Sequence, residues 1–301
     1  MAQDTTTVAV LGPGGVGGLL AALLARAGHR VICLAGEDTA RTLRTDGIRV
    51  RSGQFGDFTA RVEADTELRE PVGACLVAVK HTSLAAALTR VPVGALGDDG
   101  LLVPLLNGVE HPAALRARYG TDRVAPAVIR VESTRVAPGV VQHGSPFTEV
   151  DLAGDPVPRA RLDALAATLA AAGPATRVLE DEAAALWAKM SFLAPFALLT
   201  TRHGLPLGEI RTRHRDELTA LVTETAAISG ACGGPADPAG ALARYDAFPP
   251  GMKSSMQRDA EAGRALELDA IGGALLRAAE RHGVPAPVTA RVVRELTERG
   301  Y

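Results

Sequence analysis

The first half of the chain alternates between short apolar runs and stretches with a helical pattern. Thr7 to Leu11 is apolar and β-branched; a glycine loop follows, then a helical stretch from Gly15 to Ala27 stopped by Gly28, then a second apolar run, Val31 to Leu34. This order predicts a β-α-β unit. Cys75 to Val79 and Leu101 to Leu106 repeat the apolar run, each ahead of a segment of helical composition. Strands that are apolar at every position, rather than at alternate ones, belong to a parallel sheet covered on both faces. From Val124 to Leu152, strand-like pieces are separated by Pro138-Gly139 and Gly144-Ser145-Pro146, and are expected to add strands at the edge of that sheet. Arg159 to Ala172 reads as one more helix.

From about Glu180 the strand pattern stops. The rest reads as helices broken at Gly204, Gly233-Gly234-Pro235, Pro249-Pro250-Gly251 and Gly283-Val284-Pro285. The expected architecture is therefore α/β: an N-terminal Rossmann-type dinucleotide-binding domain over residues 1–179, then an all-helical C-terminal domain over residues 180–301 that carries substrate and catalytic groups.

Composition narrows the function. A chain of 301 residues usually divides into two cores, and 47% hydrophobic with 22% charged residues is ordinary for a globular protein. The net charge of −2 provides no basic field of the kind that holds nucleic acid. No uninterrupted apolar run reaches the ~20 residues that span a bilayer. The opening MAQDTTTVAVLG lacks a basic segment before its apolar run and is better read as a strand than as a signal peptide. Cys33, Cys75 and Cys232 are odd in number and lack metal-ligand spacing, which fits inert thiols in a reducing compartment. The expectation is a cytoplasmic protein with a small-molecule substrate, no metal, and neither a nucleic acid nor a membrane as partner.

Gly12-Pro13-Gly14-Gly15-Val16-Gly17 is GxGxxG between a predicted strand and a predicted helix. In that setting the first glycine makes the turn, the second lets a pyrophosphate approach the backbone, and the third lets helix and strand pack. The helix N-terminus offers unpaired N–H groups to the anion. Gly12, Gly14, Gly15, Val16 and Gly17 are the candidate dinucleotide contacts, against the alternative of a purely structural turn. About 20 residues beyond Gly17 stands Glu37, where a carboxylate would accept from a ribose 2′-OH and repel a 2′-phosphate, favouring NADH. Alternatively Glu37 and Asp38 sit in a solvated turn, and Arg41, Arg44 or Lys80 receives a phosphate.

The stretch Glu180 to Thr200 is almost wholly apolar after Leu186, yet it carries Lys189. Desolvation there would lower the ammonium pKa toward a value useful in proton transfer. The other reading is a lysine whose head snorkels to water. A second polar cluster runs from Met252 to Asp259, followed by Glu267 between Leu266 and Leu268. Glu267 also fits a first-turn carboxylate favoured by the helix dipole.

Taken together, GPGGVG, CLVAVKHTSL (75–84), LLNGVEH (105–111), LWAKM (186–190) and SSMQRDAEAGRALELDAIGG (254–273) resemble the ketopantoate reductase (2-dehydropantoate 2-reductase) family, in order and along nearly the whole chain. The resemblance implies reduction of a 2-oxo acid by a nicotinamide cofactor, usually NADPH. It places the catalytic lysine on Lys189 and the catalytic glutamate on Glu267. It also places an asparagine beside substrate and cofactor on Asn107, a substrate-binding serine on Ser255, and a lysine near the nucleotide on Lys80. An ammonium aimed at the carbonyl oxygen would stabilise the charge that hydride addition builds and supply the proton, while Glu267 would orient that ammonium or hold it charged and Asn107 and Ser255 would position the substrate.

Three positions depart from the family pattern. Gly36 stands where an arginine commonly meets the NADP phosphate. Leu193 and Ala197 stand where two asparagines usually face the substrate, four and eight residues beyond Lys189. Pro195 lies inside the same helix, where it should remove a hydrogen bond and kink the axis. The expected substrate is thus 2-dehydropantoate or an analogue with a more apolar tail, Leu193 and Ala197 being candidate substrate contacts. Either NADPH or NADH is the expected cofactor, and a homodimer is expected by analogy. The other readings are an NAD-dependent 2-hydroxyacid dehydrogenase, a biosynthetic tailoring reductase, and a non-catalytic dinucleotide sensor.

Overall fold

The computed structural model describes residues 6–301. It contains two compact units. One ends at Leu106 and resumes over His111–Glu182; the other comprises Asn107–Glu110 and Ala183–Tyr301.

The first unit opens with β1 (Thr7–Leu11), α1 (Gly15–Arg26), β2 (Arg30–Leu34), α2 (Glu37–Asp46), β3 (Ile48–Ser52), β4 (Phe58–Ala60), β5 (Glu63–Asp65) and β6 (Val72–Val77). It continues with a short α3 (Leu84–Ala87), β7 (Leu96–Pro104), α4 (His111–Tyr119), β8 (Ala127–Arg130), β9 (Ser133–Ala137), β10 (Val140–His143), β11 (Glu149–Leu152), α5 (Arg159–Ala171) and β12 (Ala175–Val178). The main sheet has the order β5-β2-β1-β6-β7 and is parallel throughout. Alternate strand residues supply two separate cores. Val8, Val10, Cys33 and Leu76 face α1, whereas Ala9, Leu11, Cys75 and Val77 face Leu84, Leu115 and Tyr119. Burial on both faces is why these strands are apolar at every position. It also pushes the Cys33 and Cys75 thiols up to about 12, far from any reactive thiolate.

The strands expected at the edge of this sheet lie elsewhere. β9 and β10 join β3 and β4 in a four-stranded sheet of order β4-β3-β10-β9, and β11 pairs with both β8 and β12 in a third sheet of order β12-β11-β8. An isolated bridge between Leu102 and Val124, with the Ala125 N–H donating to the Leu102 carbonyl at 3.0 Å, ties the start of this region to β7. The cause is long-range: β10 runs parallel to β3, and Asp151 of β11 is buried between Arg130 of β8 and Arg177 of β12 at 2.7 and 2.8 Å. Residues Gly17 to Leu24 of α1 are buried on all sides because the helix packs against both the main and the four-stranded sheets.

The second unit contains α6 (Glu182–His203), α7 (Leu207–Arg213), α8 (Arg215–Ala231), α9 (Pro238–Ala247), α10 (Ser255–Glu261), a π-helical turn (Asp269–Gly273), α11 (Ala274–His282) and α12 (Pro287–Glu298). α6 runs unbroken through Pro195, which lacks the N–H that would bond the Ser191 carbonyl. Among the described residues α6 is the one helix long and apolar enough to cross a membrane, and 67% of its apolar window is buried inside the protein. Its apolar side chains, Met190, Ala194, Leu198 and Leu199, form the centre of this unit's core.

His143 fastens β10 to β3. Its ring is 2% exposed, stacks on Phe55, and places Nδ1 2.8 Å from Ser52 Oγ and Nε2 3.1 Å from Ser145 Oγ. Burial lowers its pKa by penalising the charged ring, against the opposing pull of the Phe147 carbonyl and Glu132. The folded chain therefore keeps the ring neutral at pH values where the unfolded chain protonates it. This contribution to stability is complete above about pH 6.5, the free imidazole value, and declines as the pH falls through it toward the lower native value. Urea midpoints at pH 7.5 and 5.5 should differ less in His143→Gln than in the parent chain. Equal differences would remove His143 as a source of acid lability.

Candidate active site

In the order β5-β2-β1-β6-β7 the winding direction reverses between β1 and β6, and open α/β sheets bind ligands beyond the carboxyl ends of the strands at such a point. The glycine loop follows β1 there. Gly12 has φ +85°, and a β-carbon on it would lie 2.5 Å from Val79 Cγ1. The Gly12 N–H bonds the Leu34 carbonyl at 3.1 Å, so the loop is fixed to the ends of both β2 and β6. A β-carbon on Gly17 would lie 2.3 Å from the Gly12 carbonyl oxygen and 2.9 Å from Ala78 Cβ, which is helix-to-strand contact without spare room. Gly14 differs, its nearest neighbour for a β-carbon being the Gly12 oxygen at 3.9 Å. Gly14 is also the N-cap of α1, with no side-chain acceptor on the helix's first N–H groups and no acidic residue in the first turn. An open approach and uncapped donors at a positive helix end suit a pyrophosphate. Gly15 faces the other way, since a β-carbon on it would strike the Ser133 carbonyl at 2.2 Å. Its direct role is thus packing against β9, while its N–H remains in the helix end beside that of Val16.

At the end of β2, Gly36 caps α2 and Glu37 opens it. Glu37 is exposed and its carboxylate accepts from Arg44 at 2.8 Å; Arg44 also donates to the Ala64 carbonyl at 3.0 Å. Arg41 lies 3.3 Å from Asp38. The local arginines are thus already engaged with local acids. Lys80 is exposed just beyond the carboxyl end of β6.

In the helical unit, Asn107 and Glu267 meet across 160 residues, Asn107 Nδ2 donating to Glu267 Oε2 at 2.9 Å. Glu267 is 8% exposed and directly precedes the helical turn that begins at Leu268. Gly108 makes this meeting feasible, because at φ +95° it lies so close to the π-helical turn that a β-carbon would be 2.7 Å from the Ala270 oxygen. Lys189 is half-buried on α6. Leu193, one turn on, is half-buried against the helical core, whereas Ala197 is 0% exposed within it. Ala197 therefore offers no surface to a ligand in this structure, contrary to the expectation of a substrate contact, because that part of α6 faces the core of its own unit. Of the two serines, Ser254 is the N-cap of α10, accepting from the Gln257 N–H at 3.0 Å and lying 2.8 Å from Thr200 Oγ1. Ser255 is the exposed one. The Ser254–Thr200 link joins α10 to α6 and went unseen in the sequence, although a serine three residues before Gln257 fits an N-terminal cap.

Comparison with known proteins bears on both units. Residues 8–152 match the family Ketopantoate reductase PanE/ApbA, and residues 181–299 match Ketopantoate reductase PanE/ApbA C terminal. A 2-dehydropantoate 2-reductase of Caulobacter vibrioides is 31% identical over 296 residues, 96% of this chain and 97% of its own. The chain belongs to the ketopantoate reductase family. The crystal structure of 2-dehydropantoate 2-reductase from Methylococcus capsulatus has a TM-score of 0.86 at 27% identity, covering 98% of this chain and 96% of that one. A D-mandelate dehydrogenase, described in ternary structure with NADH and anilino(oxo)acetate, shares the fold at a TM-score of 0.88 and 18% identity, covering 97% of each chain.

Within this ketopantoate reductase family member, Gly14 and Gly17 should separate cofactor binding from folding. Gly14→Ala has the space it needs in the free protein and should retain its melting temperature, yet weaken dinucleotide binding by about tenfold or more, a loss on the scale of one charge-assisted hydrogen bond. Gly17→Ala forces helix and strand apart and should lower the melting temperature first. Thermal melts beside fluorescence titrations with NADH and NADPH read both effects. A Gly14→Ala chain that binds normally would mean the anion sits elsewhere.

Proposed function

We propose that this chain reduces the carbonyl group of a 2-oxo acid with a nicotinamide dinucleotide, Lys189 and Glu267 being its catalytic groups. The observation that carries the reading is the Asn107–Glu267 hydrogen bond, which joins two polar residues from distant parts of the sequence at one buried carboxylate. The glycine loop fits a dinucleotide, with Gly12, Gly14, Val16 and Gly17 around the pyrophosphate and Lys80 near the phosphates. When bound, the reduced nicotinamide supplies hydride to the carbonyl carbon.

The protein's own part is electrostatic. As the carbonyl oxygen gains negative charge, the Lys189 ammonium stabilises it and delivers a proton from Nζ, leaving the 2-hydroxy acid. Glu267 orients that ammonium. Because an ionised carboxylate only accepts hydrogen bonds, Glu267 fixes the Asn107 amide with its NH2 inward and leaves the amide oxygen to accept from ammonium or substrate. Ser255, exposed at the start of α10, holds the acid's polar end. Leu193 meets the substrate's far end, and an apolar side chain there favours a hydrocarbon tail over a hydroxylated one. Gly36 provides no cation for a 2′-phosphate and Arg44 is shared with Glu37, so NADH and NADPH are both accepted.

Lys189→Ala should lower kcat by about two orders of magnitude or more while dinucleotide affinity stays nearly unchanged, because the ammonium acts on charge that appears only in the transition state. A loss below about tenfold removes Lys189 from the chemistry. In a panel of 2-oxo acids assayed with each cofactor, kcat/KM for a branched or aromatic tail should equal or exceed that for 2-dehydropantoate, each buried methylene adding about 0.8 kcal/mol. A clear requirement for the 4-hydroxyl of 2-dehydropantoate would refute the apolar-tail reading and leave the reductase reading intact.

A further inference from the structure

Asn107 and Glu267 are held by more than their mutual hydrogen bond. Three residues after Asn107, both oxygens of Glu110 accept from Arg277, Nε lying 3.1 and 3.2 Å from them and Nη2 2.7 Å from one. Two residues after Glu267, Asp269 Oδ1 accepts from Arg277 Nη1 at 2.7 Å, and the Asp269 carbonyl lies 3.3 Å from Nη2. One planar guanidinium thus grips the segment that carries Asn107 and the turn that follows Glu267. Lysine, with a single point charge, lacks this two-sided fork.

We propose that Arg277 is a positioning residue for the reductase site, fixing Asn107 and Glu267 in register by bridging Glu110 and Asp269. The proposal rests on the reading above that Asn107 and Glu267 serve the reaction. Two further features of the backbone support it. The turn over Asp269–Gly273 is π-helical, and a β-carbon on Gly273 would lie 2.4 Å from Asp269 Oδ1, so glycine is what lets the carboxylate fold across its own turn to the guanidinium. Gly108 seats the other segment against the same turn. The side chains of Arg277 and Glu110 are 42% and 37% exposed and that of Asp269 is 72% exposed. Ion pairs this wet contribute little to global stability. Their value here is geometric, since a shift of one ångström in a site group costs rate out of proportion to any loss of folding energy.

The test uses the full-length chain, with Arg277→Met, Arg277→Lys and Glu110→Gln beside Asn107→Ala and Glu267→Gln. Arg277→Met should lower kcat/KM for the oxo acid by about tenfold to a hundredfold, with part of the loss in KM. Dinucleotide affinity should stay within about twofold, because the glycine loop keeps its donors. Arg277→Lys should recover part of the loss, and Glu110→Gln should reproduce part of it should Arg277→Met fold poorly. The Asn107 side-chain NH2 resonance, assigned by its absence in Asn107→Ala, should move in Arg277→Met. A smaller folded fraction alters neither KM nor that resonance, so unchanged values of both overturn the proposal even if total activity drops. If Asn107→Ala and Glu267→Gln are themselves as active as the parent, the reading of the site fails instead.

Discussion

The first unit depends on how closely α1 approaches its neighbours. This helix packs between two sheets at once, and its N-terminal turns have no space for β-carbons: Gly15 meets the Ser133 backbone, Gly17 meets the loop and Ala78, and Gly18 would place a β-carbon 2.9 Å from Val141. Three glycines in a first turn and a half are unfavourable for an isolated helix, by about 1 kcal/mol each relative to alanine. Tertiary burial of Leu19, Leu20, Leu23 and Leu24 offsets that cost. The same closeness leaves the N-terminal N–H groups beside the ends of β1, β2 and β6, so the tight packing and the uncapped donors of the helix end arise from one constraint.

A different economy operates in the helical unit, where polar groups are placed by contacts between residues far apart in the chain. Gly108 and Ala270 set the spacing, and Arg277 adds direction. The apolar core around α6 supplies stability, while the groups assigned to chemistry sit at its margin, half-buried in the case of Lys189 and almost covered in the case of Glu267. Partial burial fits the roles proposed for them, because a charge in a drier setting acts more strongly on its surroundings than one in bulk water.

Much of this was legible in the sequence. The Rossmann-type sheet followed by helices could be read because parallel strands buried on both faces leave unbroken apolar runs, and the glycine loop could be read because its spacing is local. The family resemblance singled out both Asn107 and Glu267, and the structure joins them by a hydrogen bond although 160 residues separate them. Contacts that leave no periodic trace escaped. β10 beside β3 is a parallel pairing between distant strands with no turn to announce it. Arg277 is one of many arginines on exposed helix faces, and nothing near it in the sequence points to Glu110, 167 residues away. Ala197 was misplaced because helical spacing identifies a face without saying what covers it.

The excursion over Asn107–Glu110 has a consequence for how the protein is made. The chain leaves its α/β unit for four residues, contributes them to the helical unit, and returns to begin α4. During synthesis these four residues emerge while the segments they will contact are still untranslated, and Glu267 follows Asn107 by 160 positions. The strands of the first unit all lie between Thr7 and Val178, so its sheets need nothing from the residues that follow. Asn107 waits, tethered at both ends to a finished domain, until nearly the whole polypeptide is available. Closing so long a loop onto an already ordered anchor costs less entropy than joining two free segments, because the ends are no longer wandering. In order of synthesis the α/β unit is therefore complete before the partner of Asn107 exists, and the Asn107–Glu267 pairing must follow it.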